Sequence, residues 1–175
     1  HEKGDYKNAL GYFNNSLEIQ DEIGNKRVMG MLLNNIGLIS WFKGDYKKAL
    51  KHLLRSIDIL RELGDKYGMG ASFVNIGNIY SSQGFYEKAL EYSIWSLKIQ
   101  EDIKEKRGMG ILLNNIGDIY LKQGAVKQAL DYFTRSSSIR EKLSDKRGMS
   151  YSLHNIGIAY SYKGNNEKAI KYLEK

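Results

Sequence analysis

A chain of 175 residues with 42% apolar content is long enough to bury a continuous core as one domain, and no linker-like stretch interrupts it. The absence of cysteine excludes a disulfide framework and thiol chemistry and fits a reducing, cytoplasmic setting, while no run approaches the roughly 20 consecutive apolar residues of a membrane span. The net charge of +7 is modest and dispersed, without the clustered stripe that tracks nucleic-acid phosphates, so nucleic acid is a poor candidate partner.

A step of 40 residues organises the chain. Asn-Ile-Gly recurs at Asn35, Asn75, Asn115 and Asn155, and the same step carries Gly4, Gly44, Gly84, Gly124 and Gly164, then Ala9, Ala49, Ala89, Ala129 and Ala169, then Met29, Met69, Met109 and Met149. Periods of this size signify stacked copies of one supersecondary unit. Such an array uses a surface drawn over several units rather than a closed pocket.

In chain order, residues 1–24 hold only a second helix, with Gly4 ahead of it and Ala9 and Leu10 on its apolar face. The chain is thus expected to begin inside an array. Residues 25–64 carry the complete pattern. Lys26 to Phe42 predicts a first helix burying Met29, Leu32, Leu33, Ile36, Ile39 and Ser40 and stopped by Gly44. Asp45 to Leu63 predicts a second, with Asp45 as N-cap and Tyr46, Ala49, Leu50, Leu53, Ser56, Ile57, Leu60 and Leu63 at i, i+3, i+4, i+7 spacing. Residues 65–104 and 105–144 repeat the pair, and residues 145–175 stop within the last second helix, at Lys175. The predicted class is all-α, an array of antiparallel helix pairs over residues 1–175.

Gly37, Gly77, Gly117 and Gly157 fall inside helices, where glycine costs about 1 kcal/mol against alanine. A packing reason is expected, with Ala49 and its equivalents opposite and Tyr46, Tyr80 and Tyr86 filling the wedges. Neither end carries a polar capping surface. Ala9, Leu10, Ala169 and Leu173 are therefore expected to be partly uncovered and to favour end-to-end self-association.

Asn-Ile-Gly-x-Ile-Tyr followed by Gly-x-Tyr-x-x-Ala-Leu, as at Asn75 to Leu90, resembles the tetratricopeptide repeat. The resemblance covers the whole chain, with departures: the closing proline is missing, Ser16, Ser56, Ser96 and Ser136 replace the usual alanine, and each period has six extra residues. This longer form is similar to repeats of kinesin light chains, Pins-type adaptors and bacterial sensor and peptide-receptor proteins. The resemblance implies a right-handed superhelical solenoid that binds an extended peptide in a concave groove, as an adaptor or sensor.

If Met29, Leu32, Leu33 and Ile36 point inward, the opposite stripe of the first helix carries Arg27, Met31, Asn34, Asn35, Leu38 and Trp41. Its equivalents are Tyr67, Ala71, Val74, Asn75 and Asn78, then Arg107, Ile111, Asn114, Asn115 and Asp118, then Arg147, Tyr151, His154, Asn155 and Ile158. The resemblance implies that this stripe lines the groove. Asparagine is a poor helix former, yet its amide donates and accepts, matching the alternating N–H and C=O groups of an extended peptide. The competing reading makes the row interhelical glue. The methionine column lies on the core register, whereas Met31, Ala71, Ile111 and Tyr151 are the candidates for holding ligand side chains, with Trp41 and Tyr162 as anchors.

Arg27, Arg107 and Arg147 recur at one edge of their units, either as an ordinary solvated joint or as contacts for an acidic or phosphorylated partner. Catalysis finds no motif. His1 is terminal, His52 falls on an outer helix and His154 has no second histidine or cysteine in reach, so no enzyme, metal site or cofactor is expected. Gly-Met-Gly at 68–70 and 108–110 follows a helix and repeats with the array, so it reads as a joint rather than a nucleotide loop. The expected function is a protein-interaction module. The alternative is a regulatory or oligomerisation segment of a larger signalling enzyme or transcription regulator.

Overall fold

The computed structural model describes residues 2–174, with side chains from Tyr6 onward; His1 and Lys175 lie outside the described residues. The described residues are helical with short joints and no strand. They divide into two compact units, His1–Gln83 and Gly84–Lys175. The first holds α1 (Glu2–Ile23), α2 (Lys26–Phe42), α3 (Tyr46–Glu62) and α4 (Lys66–Ser82). The second holds α5 (Tyr86–Asp102), α6 (Lys106–Lys122), α7 (Val126–Lys142), α8 (Lys146–Tyr162) and α9 (Asn166–Leu173).

Each joint follows from local chemistry. At the end of α2 the chain turns through Gly44 at φ +80°, a left-handed conformation that glycine adopts without steric cost. Gly44 N donates to Trp41 O at 2.8 Å and Asp45 N to Ser40 O at 2.9 Å, which covers carbonyls that the helix leaves open. Asp45 Oδ1 then accepts from Lys48 N at 3.0 Å and starts α3, as its N-cap role predicts. Asn25, Asp65, Asp145 and Asn165 cap their helices in the same way. Gly4 differs from its column, because it lies inside α1.

Within the first unit α2 packs on α1 and α3 and also touches α4; within the second, α6 packs on α5 and α7 and touches α8. Leu33, Ile36, Leu53, Ile57 and Leu60 are buried between α2, α3 and α4, and each contributes about 1.5 to 3 kcal/mol by leaving water. The helical glycines sit where the partner helix comes closest. A Cβ on Gly37 would lie 2.8 Å from Leu53 Cγ and 3.2 Å from Ala49 O. One on Gly117 would meet Phe133 at 2.6 Å and Ala129 O at 3.2 Å, and one on Gly157 would meet Leu173 at 2.7 Å and Ala169 O at 3.2 Å. The pairing of small positions in these helix pairs is therefore as expected.

Some expectations need correction. Leu63 is exposed, because it caps α3 beyond the last turn that faces α2. Ala169 is buried, because α8 approaches through Gly157; Leu173 is exposed and Ala9 and Leu10 are half-buried. The methionine column faces inward, with Met29 buried and Met69, Met109 and Met149 half-buried.

Candidate functional site

In the first unit the outward stripes of α2 and α4 border a recess of roughly 350 Å³. Arg27, Met31, Asn34 and Asn35 line it from α2, and Tyr67 and Ala71 from α4, with Leu60 and Gly68 between them. Gly68 is what lets α4 settle on α3, since a Cβ there would lie 2.8 Å from Leu60 Cδ1. Asp65 joins the two sides: its Oδ1 accepts from Gly68 N at 2.9 Å, and its Oδ2 lies 3.2 Å from Arg27 Nε. Met31, 56% exposed, and Tyr67 put apolar surface at the mouth.

Beneath the recess runs a chain of buried polar groups. Ser56 Oγ donates to Gly30 O at 2.7 Å and lies 3.1 Å from Ser72 Oγ. Asn34 Oδ1 accepts from Ser72 Oγ at 3.1 Å and from Asn75 Nδ2 at 3.0 Å, joining α2 to α4. The serines in the unusual column thus hold the helix pair to the helix that follows it. Asn34 and Asn75 are brought together by a direct bond, whereas the half-buried Asn35 amide bonds to no other described residue. Val74 and Asn78 are half-buried on α4.

The second unit repeats the serine clasp. Ser136 Oγ donates to Gly110 O at 2.7 Å and lies 2.9 Å from Ser152 Oγ. Here, however, Ser152 donates to Gly148 O at 3.3 Å, and Asn114 Oδ1 is left without a hydrogen-bond partner, its residue only 2% exposed. Asn155 is 8% exposed. Of the asparagines on this stripe, Asn115 is half-buried and nearest to solvent. Ile111 is exposed beside it in sequence register, and Asp118 pairs with Lys122 at 3.0 Å. Arg107 stands exposed at the joint capped by Glu105, whose carboxylate accepts from the amides of Arg107 and Gly108.

Arg147, Tyr151 and His154 do come together. With Arg140, Asp145, Gly148 and Ser150 they line a second recess, of roughly 510 Å³. Sequence reading missed Arg140, which is only 9% exposed on α7. Its Nε donates to Ser136 Oγ at 3.3 Å and its Nη1 lies 3.5 Å from Asp145 Oδ2. A signal was present: the 40-residue column reads Gln20, Leu60, Gln100, Arg140, a cation at a core register. Among the described residues no group of three His, Asp or Glu side chains stands together as a metal site, and no helix is long and apolar enough to cross a membrane.

Helix pairs packed in series, with small residues at each crossing and a polar outward stripe, define a helical-repeat interaction protein. The Tetratricopeptide repeat family model matches residues 1–62, 28–102 and 108–175. The chain belongs to the tetratricopeptide repeat family, whose fold is one of protein interaction. None of the curated proteins matches it significantly. Among solved structures it is similar to BtubC (BKLC) from P. vanneervenii, at 18% identity and TM-score 0.89, over 99% of this chain and 72% of that one. It is also similar to a putative kinesin light chain from Podosopora anserina, at 17% identity and TM-score 0.79, over 99% and 86%. A third is a Rap conjugation gene regulator in complex with the Phr peptide, at 18% identity and TM-score 0.77, over 98% of this chain and 48% of that one.

Proposed function

We propose that the chain is an adaptor or sensor module that binds an extended peptide segment on the outward stripe of its first helices. The observation that carries this reading is the recess of the first unit, where exposed Met31 and Tyr67 flank the Asn35 amide, which no described side chain satisfies. An apolar surface with a few unspent polar groups is the usual make-up of a ligand site. A relative of this fold has been solved with a peptide, which supports the reading.

The asparagines divide their labour. Asn34 spends its Oδ1 and Asn75 its Nδ2 on the bond between them, which holds the surface in shape. Asn35 in the first unit and Asn115 in the second each keep theirs for a ligand main chain, with Met31 and Tyr67 receiving side chains beside the one and Ile111 beside the other. Each amide contributes about 0.5 to 1.5 kcal/mol net, so Asn35→Ala and Asn115→Ala each weaken binding at their own unit about two- to 13-fold. Folding survives, since alanine is the better helix former. The experiment is selection from a peptide library followed by titration of the selected peptides against wild type and each single variant. Equal affinities for every selected peptide would remove the asparagines from the site.

A further inference from the structure

The recesses of the two units occupy equivalent places in the repeat and differ in chemistry. Leu60, Asp65, Tyr67, Gly68 and Ala71 line the first; 80 residues later, Arg140, Asp145, Arg147, Gly148 and Tyr151 line the second. In the first, a single arginine faces a single carboxylate, Arg27 against Asp65, over a leucine. In the second, the leucine has become an arginine and a tyrosine has become another, against the one carboxylate of Asp145. His154 and Ser150 add further polar groups at its wall.

Arg140 is built in rather than laid over the surface. Its guanidinium occupies the space that a side chain at position 148 would need, because a Cβ on Gly148 would collide with Nη1. A buried cation is costly unless its donors are satisfied. Of its five N–H groups, the described residues take one at Nε through Ser136 and one at Nη1 through Asp145, the latter at a long 3.5 Å. Asp145 is itself engaged by Gly148 N at 2.9 Å. The recess therefore holds surplus positive charge and unspent donors.

We propose that the recess at the joint of α7 and α8 is an anion subsite, which takes the carboxylate or phosphoryl group of an acidic residue in the bound peptide. The proposal rests on the peptide-binding reading above. Arg140 offers a fixed, partly desolvated fork, Arg147 closes on the anion from the solvent side, and Tyr151 and His154 form the wall. Planar guanidinium pairs suit carboxylate and phosphate oxygens, and partial exclusion of water strengthens the charge-assisted bonds. The neighbouring joint supplies an internal control. Its Lys106-Arg107-Gly108 matches Lys146-Arg147-Gly148, but Gln100 stands in place of Arg140.

Two arms test it on the chain as it stands. In the first, inorganic phosphate and acetate are titrated at constant ionic strength while the Gly148 amide and the arginine Nε–H resonances are followed by NMR. Saturable shifts are expected at Gly148, Arg140 and Arg147, unchanged in Arg107→Ala and weakened about tenfold or more in Arg147→Ala and in Arg140→Gln, which copies the tolerated Gln100. Equal loss in Arg107→Ala and Arg147→Ala, or a silent Gly148, overturns the proposal. In the second arm, each selected peptide is compared with forms carrying glutamate, phosphoserine or glutamine at one position. A preference of about tenfold for the acidic forms, abolished in Arg147→Ala, supports it and shows which anion is favoured. Equal binding of all three forms overturns it while the peptide reading stands. Saturable phosphate shifts without any peptide binding retire the peptide reading and leave the subsite with a free anion.

Discussion

Asn75 Nδ2 donates to Asn34 Oδ1 at 3.0 Å, across residues 41 apart in sequence, and Ser72 Oγ donates to the same oxygen at 3.1 Å. Removing the acceptor leaves the buried Ser72 hydroxyl and the Asn75 amide without it. Asn34→Ala is therefore expected to cost about 1 to 3 kcal/mol, whereas Asn35→Ala leaves stability unchanged or slightly higher. Urea melts of both variants check this. Equal stability of the two would show that the bond between Asn34 and Asn75 does not hold α2 to α4.

The helical glycines separate into two kinds. At Gly117 an added Cβ would press on Phe133 at 2.6 Å and on the carbonyl of Ala129 at 3.2 Å. Gly117→Ala should then lose about 1 to 3 kcal/mol through overpacking. Gly11, in the middle of α1, has nothing within 4 Å of the same position. Gly11→Ala should instead add about 0.5 to 1 kcal/mol by stiffening the unfolded chain and favouring helix. Thermal melts that moved both variants in the same direction would contradict the packing described for α6 and α7.

Two joints carry a backbone strain that their counterparts avoid. The positions that hold Gly24 at φ +74° and Gly64 at φ +66° in the first unit hold Lys104 at φ +56° and Ser144 at φ +54° in the second. A side chain in the left-handed region costs roughly 1 to 2 kcal/mol, offset in part by the entropy that glycine restores to the unfolded state. Lys104→Gly and Ser144→Gly are each expected to raise the melting temperature of the chain modestly, and Gly64→Ser to lower it. Calorimetry on the three variants decides the matter, and a fall in Tm for both glycine variants would show that the joints are relaxed as they stand.

His52 on α3 gives the chain a pH dependence of defined sign. Burial first, then Lys48, Lys51 and Arg55, push its imidazole below the ordinary value of 6.5, with Asp45 opposing them. The unfolded chain then binds this proton at a higher pH than the folded one does, so stability rises with pH across the window that opens just below 6.5. Above that window both states are neutral at His52 and the effect vanishes. Denaturant midpoints measured from pH 5 to 7.5 should fall on acidification, and His52→Gln should flatten part of that fall. An unchanged slope in the variant would assign the pH dependence elsewhere.

Helix bounds and crossing points were legible along the chain because they depend on near neighbours and on steric size. α2 runs from Lys26 to Phe42 as its apolar spacing predicts, since one face had to be buried and Gly44 supplied the only conformation that could close the turn. The meeting of Gly37 with Ala49 follows from the same logic: two small residues at fixed offsets leave one close approach for two antiparallel helices. The polar groups were not legible in this way. An asparagine on a helix surface offers the same amide to a ligand and to a neighbouring helix, and only the placement of α4 against α2 committed Asn34 and Asn75 to each other while leaving Asn35 unspent. Arg140 shows the same limit from the other side. Its register belonged to the core, and a cation is tolerated there only because Gly148 vacates the space, Ser136 accepts from it and Asp145 faces it, three conditions set by packing between α7 and α8 rather than by any spacing along the chain.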